Sequence, residues 1–252
     1  MTINLFSVLL SMSTHRIHPD KDCFYFLTFT CHKWLPLLKL TELENYFFIW
    51  LSRLNDKGIL ISAYVMMPNH IHLLVFVSSF CTDFNLVIGE AKRFMAYEIV
   101  KRLKSKKEKI ILHKLRQAVQ VNESAKGKRH QVFSLSFDAK MVIGMNSLNR
   151  VADYIHHNPV SGKWKLVNDF TQYSASSAAY YHLGKKNRLI KADFRGYSPL
   201  DLRVSLDKKS KNDSERGVSL DKKSLDDSER EKKSLDDSEM GKSFSDTCRI
   251  PY

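Results

Sequence analysis

The sequence predicts an α+β fold: an antiparallel sheet with helices on one face, followed by one more helix and a disordered C-terminal tail. Three observations carry this reading. Two β-like runs are separated only by Pro68 and Asn69, a pair suited to a tight turn between antiparallel strands. Apolar residues between Thr41 and Gly58 recur at helical spacing. From about residue 204 aromatics nearly vanish and Ser, Asp, Lys and Glu take over, a composition that buries too little apolar surface to fold.

Residues 23–31, CFYFLTFTC, are rich in aromatics and threonine and read as a buried strand. Thr41 with Glu44 makes a T-x-x-E capping box, so a helix is expected to start there. Leu43, Phe47, Trp50, Leu51 and Leu54 form its buried face, and Gly58 is placed to stop it. ILISAYVMM (59–67) and HIHLLVFV (70–77) are expected to pair as a hairpin. A second helix is expected over about 83–103 and a fourth strand over about 130–138. Strand, helix, strand, strand, helix, strand is the order of the split β-α-β, ferredoxin-like (RRM-like) sheet. Beyond it, NSLNRVADYIHHNP (146–159) places Leu148, Val151, Ala152 and Ile155 on one inward helix face. Pro159 disfavours helical backbone at Asn158, so this helix is expected to end there. Tyr154 and Asn158 lie one turn apart, on a stripe beside the apolar face.

The chain has 252 residues, 43% hydrophobic and 11% aromatic, enough for a substantial core in one domain or two. A wholly disordered chain is excluded. The expected organisation is a disordered leader over 1–20, a folded domain over 21–203 and a disordered polar tail over 204–252. The tail holds near-copies, VSLDKKSKNDSERG (204–217) and VSLDKKSLDDSERE (218–231), too short and too polar to stack into a layer. The formal charge is +13, yet the tail carries 11 basic and 12 acidic residues, so the positive excess sits in residues 1–203. It is densest in KRLKSKKEKIILHKLR (101–116), where eight Lys or Arg and His113 face one acid, Glu108. Such a run suits a phosphate-rich partner, and equally a solvated helix face.

No apolar stretch approaches the roughly 20 residues of a membrane span, so no membrane partner is expected. No Lys or Arg precedes the apolar run 5–12, which argues against a secretory signal and for a cytoplasmic protein. Cys23, Cys31, Cys81 and Cys248 form no C-x-x-C pair and are read as reduced and structural.

His70 and His72 project from the same face of a strand while Ile71 points the other way, so two imidazoles can converge on one metal ion. Paired strand histidines are also common as plain hydrogen-bonded residues. A tyrosine near a helix end is commonly amphipathic packing, and an Asn before Pro is commonly a cap. Taken together the four residues suggest more. An ion held by two imidazoles and an amide oxygen keeps positions open for phosphate oxygens, and a phenol beside it can attack phosphorus.

The string AYVMMPNHIHLLV (63–75) resembles the His-hydrophobic-His motif of the single-tyrosine HUH-superfamily transposases, and DYIHHNPVSGKWKLVNDF (153–170) resembles their tyrosine helix. The likeness is to the REP-associated tyrosine transposase branch and spans about 24–181. It implies metal-dependent cleavage and joining of single-stranded DNA, commonly beside a hairpin, through a 5′-phosphotyrosine. Tyr154 matches the nucleophile, and His70, His72 and Asn158 match the metal site. The implied ion is Mg²⁺ or Mn²⁺, the imidazole pair suiting Mn²⁺ better. Lys92 and Arg93 fall where relatives carry a basic residue on the second helix; with Lys101 and Arg102 they are candidate DNA contacts. His157, one turn from Tyr154 on another stripe, is a candidate proton acceptor or phosphate contact. The implied partner is single-stranded or hairpin DNA in the nucleoid, with homodimer and monomer both open. The segment VFSLSFDAK (132–140) departs from the pattern, since relatives often carry a Trp-Gln pair there.

A second class fits much of the same sequence. A ferredoxin-like sheet with aromatics and a basic face can hold single-stranded nucleic acid without cutting it. That reading predicts neither metal dependence nor a covalent adduct. A metal-dependent hydrolase fits less well, for no carboxylate base stands beside His70 and His72 in the sequence.

Overall fold

The computed structural model describes residues 20–134, 138–162 and 164–197. The leader expected over 1–20, residue 20 excepted, and the tail expected over 204–252 lie outside the described residues. In chain order the elements are β1 (Cys23–Thr30), α1 (Leu37–Leu40), α2 (Glu44–Asp56), β2 (Ile59–Met66) and β3 (His70–Val77). There follow α3 (Phe84–Ser105), α4 (Lys109–Gln117), α5 (Val121–Ala125), β4 (Asp138–Val142), α6 (Met145–His157) and α7 (Ala178–Leu183). The strands form one antiparallel sheet in the order β2-β3-β1-β4. This is the expected ferredoxin-like arrangement, with β3 inserted between β1 and β2.

Alternation along the strands sends side chains to two cores. On one face Tyr25, Leu27, Phe29, Ile71 and Leu73 pack against Phe47, Trp50 and Leu51 of α2 and against Ile88, Met95 and Ile99 of α3. On the other, Phe24, Val65 and Leu74 pack against Leu148, Ala152 and Ile155 of α6. A bulge between Ile61 and Ala63 shifts the pairing of β2 and with it the alternation: Ile61 faces the α2 side, and after the bulge Tyr64 and Met66 do. Between β2 and β3 the turn is as short as expected, the Met67 amide donating to the His70 carbonyl at 2.8 Å. Gly58 follows α2 with φ +79, and a Cβ there would meet the Cys81 nitrogen at 2.7 Å, so the position needs glycine. Cys23, Cys31 and Cys81 are buried and unbridged, in keeping with a structural role; burial pushes the Cys31 thiol up to about 12. Among the described residues no helix is long and apolar enough to cross a membrane.

Several local expectations are corrected. Thr41 does not cap α2: its hydroxyl donates back to the Leu37 carbonyl at 2.7 Å, closing α1, and α2 begins after Leu43 without a side-chain cap. The fourth strand is described at 138–142, later than the expected 130–138, of which 135–137 lie outside the described residues. Residues 132–134 do run beside the end of β1, through a bridge between Cys31 and Phe133 and a Ser134 amide bonded to the Thr30 carbonyl. The basic run 101–116 spans the end of α3 and α4 as far as Arg116; neither α4 nor α5 follows from the sequence pattern read above. Finally, Asn158 keeps helical backbone, φ −53 and ψ −43, because Pro159 falls in a 3-10 turn, Asn158–Val160, that continues α6.

Candidate active site

β3 carries the first half of the site. His70 and His72 sit on the α6 face, both buried, with Ile71 fully buried on the opposite face. Their rings are 4.6 Å apart, centre to centre. Burial holds the His70 imidazole down to about 4 and the His72 imidazole well below its ordinary value. Both rings are therefore neutral at pH 7 and present lone pairs, the form that binds metal.

The second half arrives on α6. Leu148, Ala152 and Ile155 are buried against β2 and β3, and each large apolar side chain so buried is worth about 1.5–3 kcal/mol. That docking turns the neighbouring stripe towards the histidines. The Tyr154 hydroxyl lies 3.4 Å from His72 Nε2. Phe26 braces both, stacked on His72 at 5.2 Å and edge-on to Tyr154 at 6.0 Å. Asn158, one turn on, donates from Nδ2 to the Tyr154 carbonyl at 3.3 Å, and its side chain also meets His70.

Two residues not singled out in the sequence fix the imidazoles. Thr28 pairs across the sheet with His72 and places its hydroxyl 3.0 Å from His72 Nδ1. Asn69, fully buried, donates from Nδ2 to the Trp34 carbonyl at 3.1 Å. Its Oδ1 is thereby turned to His70 Nδ1, 2.7 Å away. An amide oxygen only accepts, so His70 carries its proton on Nδ1 and its lone pair on Nε2. The neighbouring Asn158 side chain raises the His70 imidazole, against the larger lowering by burial. His70 and Asn158 thus meet in a buried place where a divalent ion can draw on both.

The donor set is accordingly two imidazoles and one amide oxygen. Among the described residues no group of three or more His, Cys, Asp or Glu side chains is placed to hold an ion, so Asn158 is the third donor on offer. This set fits a divalent ion that keeps several positions for phosphate oxygens.

Beside His70 stands Trp34, 60% exposed, its ring edge-on at 5.8 Å. Lys33 and Trp34 both have positive φ, 49 and 58, a strained backbone for non-glycine residues that the Asn69 amide clasps. Asn69→Ala is expected to lower stability by about 1–3 kcal/mol in urea unfolding, since it leaves His70 Nδ1 and the Trp34 carbonyl unpaired. Mn²⁺ affinity, measured by calorimetry, is expected to fall about 10- to 100-fold, as for other residues that orient a ligand, and Asn69→Asp, which keeps an acceptor for His70, to restore most of it.

The remaining candidates divide. His157 is exposed, donating from Nδ1 to the Asp153 carbonyl at 2.8 Å and packing on Phe170. His156 is buried, 2.9 Å from the Ser177 hydroxyl. Arg102 is spent on protein groups: Glu98 at 2.8 Å and the Thr41 and Glu42 carbonyls. Lys92, Arg93 and Lys101 line a cavity of about 1060 Å³ beside α3. Lys92 donates to the Ser134 carbonyl at 3.2 Å.

No protein-family model matches the chain, and no curated protein does. Among solved structures it is similar to a REP-associated tyrosine transposase bound to a REP hairpin, at 18% identity and a TM-score of 0.44. The match covers 71% of this chain and 90% of the other. A likeness of that degree carries no functional argument. The functional reading rests on the side chains themselves.

Proposed function

We propose that this chain is a metal-dependent transesterase of the single-tyrosine transposase kind, which cuts and rejoins single-stranded DNA at hairpins with Tyr154 as nucleophile. The observation that supports it best is the meeting of residues distant in sequence: the Tyr154 hydroxyl lies 3.4 Å from His72 Nε2, with His70 and Asn158 alongside. His70, His72 and Asn158 would hold Mn²⁺ or Mg²⁺, which when bound polarises the phosphate and offsets charge in the transition state.

The chain's own residues do the rest. α6 and Phe26 fix the phenol so that Oη attacks phosphorus in line. The Oη–P bond forms as the P–O3′ bond breaks, and the phenolic proton ends on the departing 3′ oxygen. The products are a 5′-phosphotyrosine and a free 3′-OH. Because one phosphodiester has been exchanged for another, a second 3′-OH can attack the phosphotyrosine and join a new end. Thr28 and Asn69 hold the imidazoles in register throughout. Lys92, Arg93 and Lys101 contact DNA phosphates in this reading, whereas Arg102 holds α3 to the α1–α2 link.

The test is to incubate the full chain with hairpin-bearing single-stranded DNA and Mn²⁺ or Mg²⁺, then denature. A protein–DNA adduct that survives denaturation and requires the ion is expected. Tight binding with no adduct under any ion would favour the non-catalytic binding module instead.

A further inference from the structure

The cavity beside α3 has chemistry that the tyrosine site does not use. It lies between α3 and residues 123–134, and seven Lys or Arg side chains and His130 line it against one acid, Glu123, which is itself paired with Lys128 at 2.8 Å. The crowding of positive charge is felt by the groups within it. Burial and then Lys128 bring the Lys92 ammonium down to about 8, and burial with Arg116, Lys104 and Arg129 lowers the His130 imidazole. A surface that concentrates like charge at a cost to its own members is suited to a polyanion.

Two further features narrow the ligand. Of the three buried side-chain polar atoms without a hydrogen-bond partner among the described residues, two belong to the lining: His130 Nε2 and Gln131 Oε1. Gln131 is 4% exposed and its Nε2 is given to the Phe133 carbonyl, so the cleft has a polar floor beneath its cationic rim. Tyr97 also lines the cavity and is 62% exposed, with Phe94, 46% exposed, edge-on beside it at 6.4 Å. An open phenol face among lysines is a platform for a planar base. A duplex hides both base faces, whereas a single strand presents them.

We infer that this cleft is a second DNA site, which holds a single-stranded segment with its phosphates on the lysines and a base on Tyr97. The inference rests on the reading of the chain as a single-strand-processing protein. The cleft is tied to the strand that carries the histidines: Lys92 is bonded to Ser134, the Ser134 amide to Thr30, and Thr30 pairs with His70.

The test is fluorescence anisotropy with the full chain, a labelled mixed-sequence single strand and an abasic strand of equal length, in EDTA so that no cutting occurs. Lys101→Gln, Lys104→Gln and Lys126→Gln are combined in one variant. Lys185→Gln, Lys186→Gln and Arg188→Gln form a control of equal charge change. The cleft triple is expected to weaken binding at least tenfold and to lower the log–log salt slope by about two, at ~0.7 per phosphate contact on single strands. The control is expected to leave the slope unchanged. Tyr97→Ala is expected to weaken the base-bearing strand about 5- to 150-fold and to leave the abasic strand unaffected. Equal effects of the two triples, or no effect of the cleft triple, would overturn the cleft while leaving the Tyr154 adduct test standing. Equal losses of both strands in Tyr97→Ala would overturn base recognition there. Failure of the wild type to bind any single strand would sink this site and the broader reading together.

Discussion

Tyr154→Phe is expected to abolish the covalent DNA adduct and strand cutting while leaving strand binding intact. Removal of a nucleophile that acts with its partners as a unit costs at least about 10⁴-fold in rate. Little else should change. The Phe variant keeps the ring that packs edge-on against Phe26 and beside His72. The hydroxyl it loses makes a contact with His72, at 3.4 Å, that is long for a hydrogen bond. Gel analysis after denaturation reads the adduct, and anisotropy reads the binding. An adduct persisting in the Phe variant would mean that another residue attacks.

His70→Ala combined with His72→Ala is expected to remove ion-dependent cutting and specific Mn²⁺ binding together. The second readout matters because it is independent of activity. Titration calorimetry on wild type should report one tight site, and on the double variant a loss of at least about 100-fold, since the first shell is gone. Both rings are buried, so their truncation also leaves cavities and orphans Thr28 and Asn69, at a cost of a few kcal/mol. His70→Gln keeps most of the volume and should fold where the double variant does not, still losing most of the Mn²⁺ affinity. Undiminished Mn²⁺ affinity in a folded His70→Gln variant would remove that imidazole from the ion site.

Much of this architecture is legible in the residue pattern because it depends on local rules. Alternation places His70 and His72 on one face whatever the rest of the chain does, and Pro68-Asn69 leaves room for nothing but a tight turn. The i, i+3, i+4 pattern of α6 likewise puts Tyr154 and Asn158 beside a buried face. What spacing alone does not contain is the 82-residue contact between Tyr154 and His72. That was suggested by resemblance, and only tertiary docking brings the rings together.

The misreadings have the same origin. Thr41 satisfies the capping-box pattern, but a competing turn at Leu37 takes its hydroxyl. Residues 132–134 do lie against β1, yet the regular pairing is carried by 138–142. Asn69 reads as a turn residue by type, and its role as the clasp between Trp34 and His70 exists only once β1 and β3 are paired. Lys101 and Arg102 are neighbours in a basic run and both reach Glu98, yet Lys101, its side chain 79% exposed, lines the cleft while Arg102 is tied to the Thr41 and Glu42 carbonyls. One step of about 100° along a helix separates them.

The central claim is that the Tyr154 hydroxyl becomes covalently joined to DNA, and mass spectrometry of the digested adduct tests it most directly. Trypsin cuts after Arg150 and Lys163, releasing residues 151–163 with one tyrosine. A 5′-linked nucleotide on that peptide, at Tyr154, is the predicted result. A nucleotide on any other peptide would contradict it.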